Sequence, residues 1–281
     1  MNAIPLAYLR RSSWALYLGL ALCALSLLPG LVALFWTPWD PERIAVVERL
    51  QPASSAHWLG TDHLGRDLLS MLMAGARSTL GIAFAAVVIG LLIGVPLGLW
   101  SAARRGWVDE LLMRANDILF AFPALLLAIL LTAALGPGAM NAILAIGLFS
   151  VPVFARVTRA GALQLWLRDF VLAARLAGKS HWRISFEHIL PNLAGLIAVQ
   201  ASLQMSLGVL AESGLSYVGL GTQPPAPSWG RMLNEAQTLT AVAPHLALLP
   251  GLCIALAVLG LNLTGEGLRE RFDPRGEGRS R

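Results

Sequence analysis

Four residues of the types that bind divalent cations lie close together in this sequence: His57, Asp62, His63 and Asp67. Imidazole and carboxylate groups at this spacing are able to ligate a metal ion. The stretch also has a structural interpretation, because Thr61 or Asp62 can cap a helix that begins near Leu64. Asp62 can further pair with Arg66, four residues later. We favour the structural interpretation and predict no metal site in the chain.

A second candidate for chemistry is Gly178-Lys179-Ser180, which has the form of the last residues of a phosphate-binding loop. Such a loop needs a glycine five residues before its last glycine, where this chain has Ala173. It also follows a strand, whereas the residues 170–177 favour a helix. We therefore predict no nucleotide site, no catalytic residue and no cofactor bound by this chain.

The amino-acid composition indicates in what class of protein these residues lie. The chain has 281 residues, of which 56% are hydrophobic and 13% are charged. A soluble domain has about 45–50% apolar and about 25% charged residues, so the composition excludes an ordinary soluble globule and predicts an integral membrane protein. Cys23 and Cys253 lie in apolar runs, and we interpret them as small hydrophobic residues.

Long uncharged stretches predict an all-α fold with six transmembrane helices, because one crossing needs roughly 20 apolar residues. The longest stretch is divided by the turn signal Gly136-Pro137-Gly138. The predicted crossings are 14–36, 79–103, 115–135, 140–160, 193–212 and 244–265. The first is longer than the apolar part of a signal peptide, which has about 7–15 residues, so we expect it to be retained.

The distribution of positive charge predicts the orientation. Sixteen of the 21 Lys and Arg residues fall on one side of the six crossings, which marks that side as cytoplasmic. The termini, 1–13 and 266–281, and the loop 161–190 lie on this side. The segments 37–78 and 214–243 lie on the other side, where three prolines in the second segment disfavour a continuous helix. Topology accounts for the net charge of +5, so no nucleic-acid partner is expected.

The predicted crossings contain almost no ionisable residues away from their ends. A carrier driven by an ion gradient usually has a titrating or ion-binding group in mid-membrane. The sequence therefore argues against a secondary carrier, and a membrane scaffold without transport activity is a further alternative. If ATP drives the protein, another chain must bind it.

Three glycines, Gly90, Gly94 and Gly98, share one face of the second crossing because they are spaced four apart. They predict close helix packing, either within the chain or against a partner subunit.

Glu212 ends the fifth crossing and is followed by Ser213 and Ser216. A carboxylate at a membrane boundary is a candidate for the translocation path or its gate. The alternative is a solvated helix end or a partner for an outer arginine. Trp229 is either an anchor at the membrane interface or part of the lining of the external gate.

The loop between the fourth and fifth crossings predicts two short helices joined at Gly178. The first, 169–177, carries a narrow apolar stripe formed by Phe170, Ala173, Ala174 and Ala177. The second, 182–190, leads to Pro191, which can open the fifth crossing. The stripe suits a groove on another protein, or else the lipid headgroups of the membrane.

Ala173-Ala174, Gly178 and Leu190-Pro191 have the spacing of the cytoplasmic loop of ABC-importer permeases, and this segment resembles that loop. Leu172 stands at the usual glutamate position and His188 at the usual isoleucine position. The resemblance implies contact with an ATPase through the following residues: Phe170, Ala173, Ala174, Ala177, Gly178, His188, Leu190 and Pro191.

Two motifs in the outer segments indicate which group of ABC-importer permeases the sequence resembles. HWLGTDHLGRD, at 57–67, and GLSYVGLG, at 214–221, with PPAPSWG at 224–230, are similar to segments of dipeptide, oligopeptide and nickel permeases, of the second-permease type. The likeness implies a type I importer fold with a five-helix core over 79–265, in a bacterial inner membrane, working by alternating access. It implies as partners a second permease, two ATPases that bind ATP and magnesium, and an external solute-binding protein. Short peptides are the expected substrate, and nickel or a metal chelate is the alternative.

Overall fold

Every regular element that the computed structural model describes is helical, apart from one bridge between Thr61 and Asp67. The structure describes residues 6–122 and 124–272. The α-helices are α1 Leu6–Val32, α2 Leu68–Arg104, α3 Gly106–Phe120, α4 Ala124–Leu135, α5 Ala139–Leu165, α6 Asp169–Leu176, α7 His181–Ile184, α8 Leu190–Tyr217, α9 Trp229–Ala236 and α10 His245–Phe272. A π-helical turn, Ser185–Ile189, joins α7 to α8, and 3₁₀ turns lie at Val46–Glu48 and Gln237–Leu239. The predicted all-α membrane fold is confirmed.

The helices form a bundle with two distinct ends. The Trp229 end carries the segments 33–67 and 218–244, and the Gly178 end carries the segment 166–189. Five helical runs are long and apolar enough to cross a membrane: 14–32, 68–104, 139–165, 181–217 and 245–272. At about 1.5 Å per residue, the 37-residue α2 is longer than the roughly 30 Å hydrocarbon layer. A helix of this length is tilted or extends beyond the layer. Its first turns, before the predicted start at 79, contact Trp39 and Trp229 at the Trp229 end.

The remaining predicted crossing, 115–135, differs from a single helix. It is divided between α3 and α4, and α3 ends at Phe120. The sequence explains the break, because Pro123 disfavours helical geometry at the residue before it; Pro123 itself lies outside the described residues. Two ion pairs hold α3 against α5: Arg159 Nη2 donates to Asp109 at 2.6 Å, and Arg156 Nη2 donates to Asp117 at 2.6 Å.

The three glycines of α2 lie against α5 of the same chain. A Cβ atom at Gly94 would collide with the carbonyl oxygen of Val151, and one at Gly98 with that of Ala155. A Cβ at Gly90 would collide with the side chain of Ser150. Of the two interpretations that the sequence allows, packing within the chain is the one that the structure shows. The close approach of the two backbones makes the α2–α5 pair the most extensive helix contact in the described bundle.

Replacing Gly94 with alanine should lower the stability of the bundle, because the colliding atom belongs to the α5 backbone and cannot move aside. We expect a loss of about 1–3 kcal/mol, measured as a lower midpoint of thermal unfolding in detergent. Gly81→Ala is the matched control on the same helix, since a Cβ at Gly81 meets nothing within 4 Å. An unchanged midpoint for Gly94→Ala would contradict the packing described here.

Candidate functional site

The turn at Gly178 depends on a backbone conformation that glycine adopts most easily. Gly178 has a φ of +76°, in the left-handed region. Its N–H donates to the Arg175 carbonyl at 2.9 Å, and the next N–H, of Lys179, donates to the Ala174 carbonyl at 3.1 Å. This is the capping arrangement that ends many helices. It directs the chain from α6 into α7.

The two faces of α6 have different surroundings. Val171 and Ala174 are buried against Trp166 and Ile184. Phe170, Ala173 and Ala177 are exposed, so the predicted stripe is divided, with Ala174 turned into the fold and the other three residues outward. The exposed face also carries Leu172 and Leu176, which are 50% and 90% exposed. Leu172, at the usual glutamate position, thus adds apolar surface to the outward face.

The second half of the loop is continuous with the fifth crossing. Ser180 caps α7 by accepting the N–H of Arg183, and the helical run continues from His181 to Tyr217. Pro191 does not interrupt it, although proline has no N–H to donate. Just before Pro191 the hydrogen-bond pattern shifts from four residues to five, because the N–H of Leu190 donates to the Ser185 carbonyl. The helix can therefore continue through the proline.

Lys179 holds the glycine turn against the π-helical turn. Its ammonium group donates to the Glu187 carboxylate at 2.7 Å and lies 2.8 Å from Nε2 of His188. His188, which stands at the usual isoleucine position, therefore has a polar partner rather than an apolar one. Leu190 and Pro191 begin α8 directly after this contact.

Glu212 is completely buried, with 0% of its surface exposed. Its Oε1 accepts hydrogen bonds from Ser216 Oγ at 2.7 Å and from Thr222 Oγ1 at 3.3 Å. The interpretation of Glu212 as a solvated helix end is therefore wrong. The cause is the segment after α8, which folds back and places the Thr222 hydroxyl over the carboxyl group, beside the hydroxyl of Ser216 in α8.

The same fold-back fixes Trp229, which is 1% exposed. Its backbone N–H donates to Thr79 Oγ1 at 3.2 Å, and its indole N–H donates to the Leu72 carbonyl at 3.0 Å. Gly75 of α2 lies directly against the indole ring. The interpretation of Trp229 as an anchor in the membrane interface is wrong, because its bonding groups are used within the protein. We call Thr79, Glu212, Ser216, Thr222 and Trp229 the Glu212 cluster.

Ser213 is also buried, where the backbone of Gly230 packs against its own. The four predicted path or gate residues, Glu212, Ser213, Ser216 and Trp229, are thus brought together at the Trp229 end, where α2, α8 and α9 meet.

The histidine and aspartate residues that could ligate a metal form hydrogen bonds within the protein instead. Asp67, rather than Thr61 or Asp62, caps α2 by accepting the Ser70 N–H at 2.8 Å, so that helix begins at Leu68 and not near Leu64. His57 Nδ1 lies 2.9 Å from the Asp67 carboxylate. His57 and Asp67 are therefore partners of each other, as the structural interpretation of this segment expects.

Arg66 joins the two outer segments. Its guanidinium group lies 2.6 Å from Asp62 and 2.5 Å from Glu235. Burial disfavours the charged guanidinium, but the two carboxylates outweigh this effect and raise the pKa of Arg66. Ligand atoms of Asp62, His63 and Glu235 lie within 4.8 Å of one another. Because Arg66 already pairs with both carboxylates, it supplies the positive charge that a metal ion would bring there.

A cavity of about 220 Å³ lies between α4, α5 and α8, and its lining includes Ala128, Ile146, Phe149 and Leu207. Gln204 and Ser150 are its polar residues, with Gln204 Nε2 3.4 Å from Ser150 Oγ. The sequence analysis missed both. The available signal was a pair of glutamines, Gln200 and Gln204, within the predicted crossing 193–212.

Comparison with known proteins identifies the family. The family described as "Binding-protein-dependent transport system inner membrane component" matches residues 94–277. The chain belongs to this family. The resemblance that the sequence motifs indicated is therefore confirmed, and this permease is a multi-pass protein of the inner membrane.

Relatives extend the likeness over most of the permease. Glutathione transport system permease protein GsiD of Pectobacterium atrosepticum is 43% identical over 246 residues, covering 86% of this chain and 82% of that protein. The protein of the same name in Escherichia coli is 42% identical, covering 88% and 83%. Dipeptide transport system permease protein DppC of Alkalihalophilus pseudofirmus is 43% identical, covering 81% and 75%.

A solved structure shares the fold of the permease. The MetNI methionine ABC transporter, in an inward-facing conformation, contains a chain that matches with a TM-score of 0.60 at 18% identity. The match covers 72% of this permease and 96% of that chain.

Replacing Glu212 with alanine should loosen the segment 213–232. The change leaves the hydroxyls of Ser216 and Thr222 without their acceptor, which costs about 1–3 kcal/mol. We expect faster hydrogen–deuterium exchange in this segment of the purified permease. Glu212→Gln keeps an acceptor oxygen and should exchange more slowly than Glu212→Ala. Glu42→Ala, at an exposed outer position, is the control. Equal exchange in Glu212→Ala and the unmodified chain would refute this role.

Proposed function

We propose that the permease forms half of the translocation pathway of an ATP-driven importer for short peptides, and that it works by alternating access. The observation that carries this proposal is the geometry at Gly178: a short helix with an exposed apolar face, joined through the glycine turn to a helix that crosses the membrane. The family and the names of the relatives support it. The bond chemistry of ATP and magnesium takes place on separate ATPase subunits.

The Gly178 end faces the cytoplasm in this proposal, and both termini lie on that side. The supporting observation is the charge distribution, in which Arg43, Arg49, Arg66, Arg77 and Arg231 are the only cationic residues assigned to the opposite side. Two ATPases would dock at the Gly178 end, where Leu176 and Phe170 present apolar surface. A solute-binding protein would dock at the Trp229 end, and a second permease would complete the pathway.

Force is transmitted along the fifth crossing. The run His181–Tyr217 connects the docking loop with Glu212, near the opposite end. A movement of α6 caused by closure of the ATPases would tilt this run and so displace the Glu212 cluster. The cluster fixes the outer loop 218–228 to α2 and α8, so its displacement would open or close the outer side. ATP and the loaded solute-binding protein would stabilise different states of this movement.

The cavity between α4, α5 and α8 supports a peptide substrate. Gln204 offers an amide that can both donate to and accept from a peptide bond, and Ser150 adds a hydroxyl. Nickel favours imidazole, thiolate or carboxylate ligands, which the described lining of this cavity does not contain. The relatives reported above are named for glutathione and dipeptides, which also favours peptides over nickel.

Replacing Gly178 with valine should abolish coupling without preventing membrane insertion. A Cβ there meets nothing within 4 Å, so the effect comes from the backbone conformation and not from a collision. A β-branched residue at φ +76° costs about 1–3 kcal/mol and would change the angle between α6 and α7. We expect ATP-driven uptake, and ATPase stimulation by the binding protein, to fall more than about tenfold in the reconstituted importer.

Gly178→Asn is the matched control, because asparagine adopts the left-handed region more readily than valine. It should retain most of the coupled activity. Normal uptake by Gly178→Val would contradict the docking role of the loop.

Replacing Gln204 with leucine should weaken substrate transport while leaving the importer assembled. The loss of one hydrogen bond predicts that the substrate concentration for half-maximal uptake rises about 3- to 10-fold. Gln200→Leu, one turn away on α8 and outside the cavity lining, should have little effect. Equal uptake curves for the two variants would refute the assignment of Gln204 to the pathway.

A further inference from the structure

A second cavity, of about 180 Å³, lies at the Gly178 end between the last turn of α2 and the start of α7. Arg104 of α2 and His181 of α7 contribute to its lining, together with Trp100, Trp182 and Ser185. None of these residues has a role in the docking face of α6 or in the pathway cavity. The chemistry of the lining combines positive charge, a hydroxyl group and two indole rings.

The positive charge of Arg104 is not neutralised within the described part of the chain. Arg104 is exposed, and it has no carboxylate within ion-pair distance there. Three other arginines at the same end are paired, Arg114 with Glu110, Arg156 with Asp117 and Arg159 with Asp109. Arg105, Arg168 and Arg175 are unpaired in the described part of the chain as Arg104 is, but only Arg104 lines the cavity. Arg104 is thus available to an anion from outside the chain.

Ser185 adds a buried hydroxyl without a partner. The residue is 1% exposed, and its Oγ makes no hydrogen bond among the described residues. A buried hydroxyl that lacks a hydrogen-bond partner destabilises the fold. Because Ser185 lines the cavity, an oxygen atom of an occupant would relieve that destabilisation.

The surface next to the cavity indicates what kind of anion fits. Trp100 and Trp182 are 40% and 51% exposed, and half-exposed tryptophans are typical of the membrane interface. From Trp100, the exposed surface of α2 continues along the membrane through Ile93 and Leu92, which are 48% and 71% exposed. A molecule with an anionic head and an apolar tail would fill the cavity with its head and cover the apolar surface of α2 with its tail. A carboxylate of a soluble partner would fill the cavity alone.

We propose that this cavity binds the phosphate of an anionic phospholipid headgroup from the leaflet at the Gly178 end. Arg104 pairs with the phosphate, Ser185 donates a hydrogen bond to it, and the acyl chains lie along Trp100 and Leu92. Basic pockets between membrane helices at the cytoplasmic side are suited to such headgroups. The lipid would brace the end of α2 against α7, beside the turn through which the docking loop enters the fifth crossing. The cytoplasmic identity of the leaflet rests on the proposed orientation, but lipid binding itself does not.

Lipid retention tests this proposal directly. The permease is purified in mild detergent with its partner subunits, incubated with phosphatidylglycerol or phosphatidylcholine, and analysed by native mass spectrometry. We expect phosphatidylglycerol to be retained in preference to phosphatidylcholine. Arg104→Gln should weaken this retention about fivefold, and Ser185→Ala should weaken it to a smaller extent.

Arg105→Gln is the matched control, because Arg105 is the adjacent exposed arginine and does not line the cavity. It should retain phosphatidylglycerol as the unmodified chain does. Competition by inorganic phosphate at millimolar concentration would indicate a free-phosphate site and would overturn the lipid assignment. So would equal retention in Arg104→Gln and Arg105→Gln.

Loss of the ATPase subunits from Arg104→Gln with unchanged lipid retention would assign the cavity to a protein carboxylate and overturn the proposal. Lipid retention is measured without transport. A negative result for lipid binding is therefore distinguishable from a failure of the proposed function, which the uptake by Gly178→Val tests.

Discussion

The arrangement of this permease depends on the burial of the Glu212 carboxyl group. Removing a carboxyl group from water is unfavourable unless hydrogen bonds replace those to the solvent. Ser216 and Thr222 donate to its Oε1, whereas its Oε2 has no hydrogen-bond partner among the described residues. Thr222 is delivered by the segment that leaves α8 and folds back over it. That fold-back also carries Trp229 onto α2. The cover over Glu212 and the contacts of Trp229 with α2 therefore depend on the same fold-back, which holds a loop, α2 and α8 together at the Trp229 end.

The α2–α5 pair and the fifth crossing differ in how tightly they pack against their neighbours. The α2–α5 pair meets through three glycines with backbone atoms in contact, and a close-packed interface of this kind has little freedom to slide. The fifth crossing contacts α2 and α5 less extensively, and it begins with a π-helical turn at which the regular hydrogen-bond pattern is relaxed. In the alternating-access mechanism proposed above, the α2–α5 pair would be the rigid part against which the fifth crossing moves.

Local patterns in the sequence predicted much of this fold, but they did not predict the contacts between residues that are distant in the sequence. Five of the six predicted crossings, the turn at Gly178 and the shared face of Gly90, Gly94 and Gly98 follow from composition and from spacing along one helix. The burial of Glu212 does not, because its covering residue Thr222 lies beyond the end of that helix. Likewise Ala174 faces inward since Trp166 and Ile184 lie beneath it, which a stripe of small residues cannot reveal. Pro191 predicted the start of the fifth crossing, and α8 does begin at Leu190; the π-helical turn that joins it to α7 was not predicted.

The scarcity of charge in the chain has a mechanical consequence. With 13% charged residues, the permease places several ion pairs between elements that must keep their relative positions: Arg66 joins the outer segments through Asp62 and Glu235, and Arg159 joins α3 to α5 through Asp109. Helix α8 instead meets α5 and α10 through apolar residues and through hydrogen bonds that involve hydroxyl groups. Hydroxyl groups exchange partners at a lower cost than buried charges do. A helix held in this way can change its contacts during a transport cycle while the ion-paired elements around it stay in place.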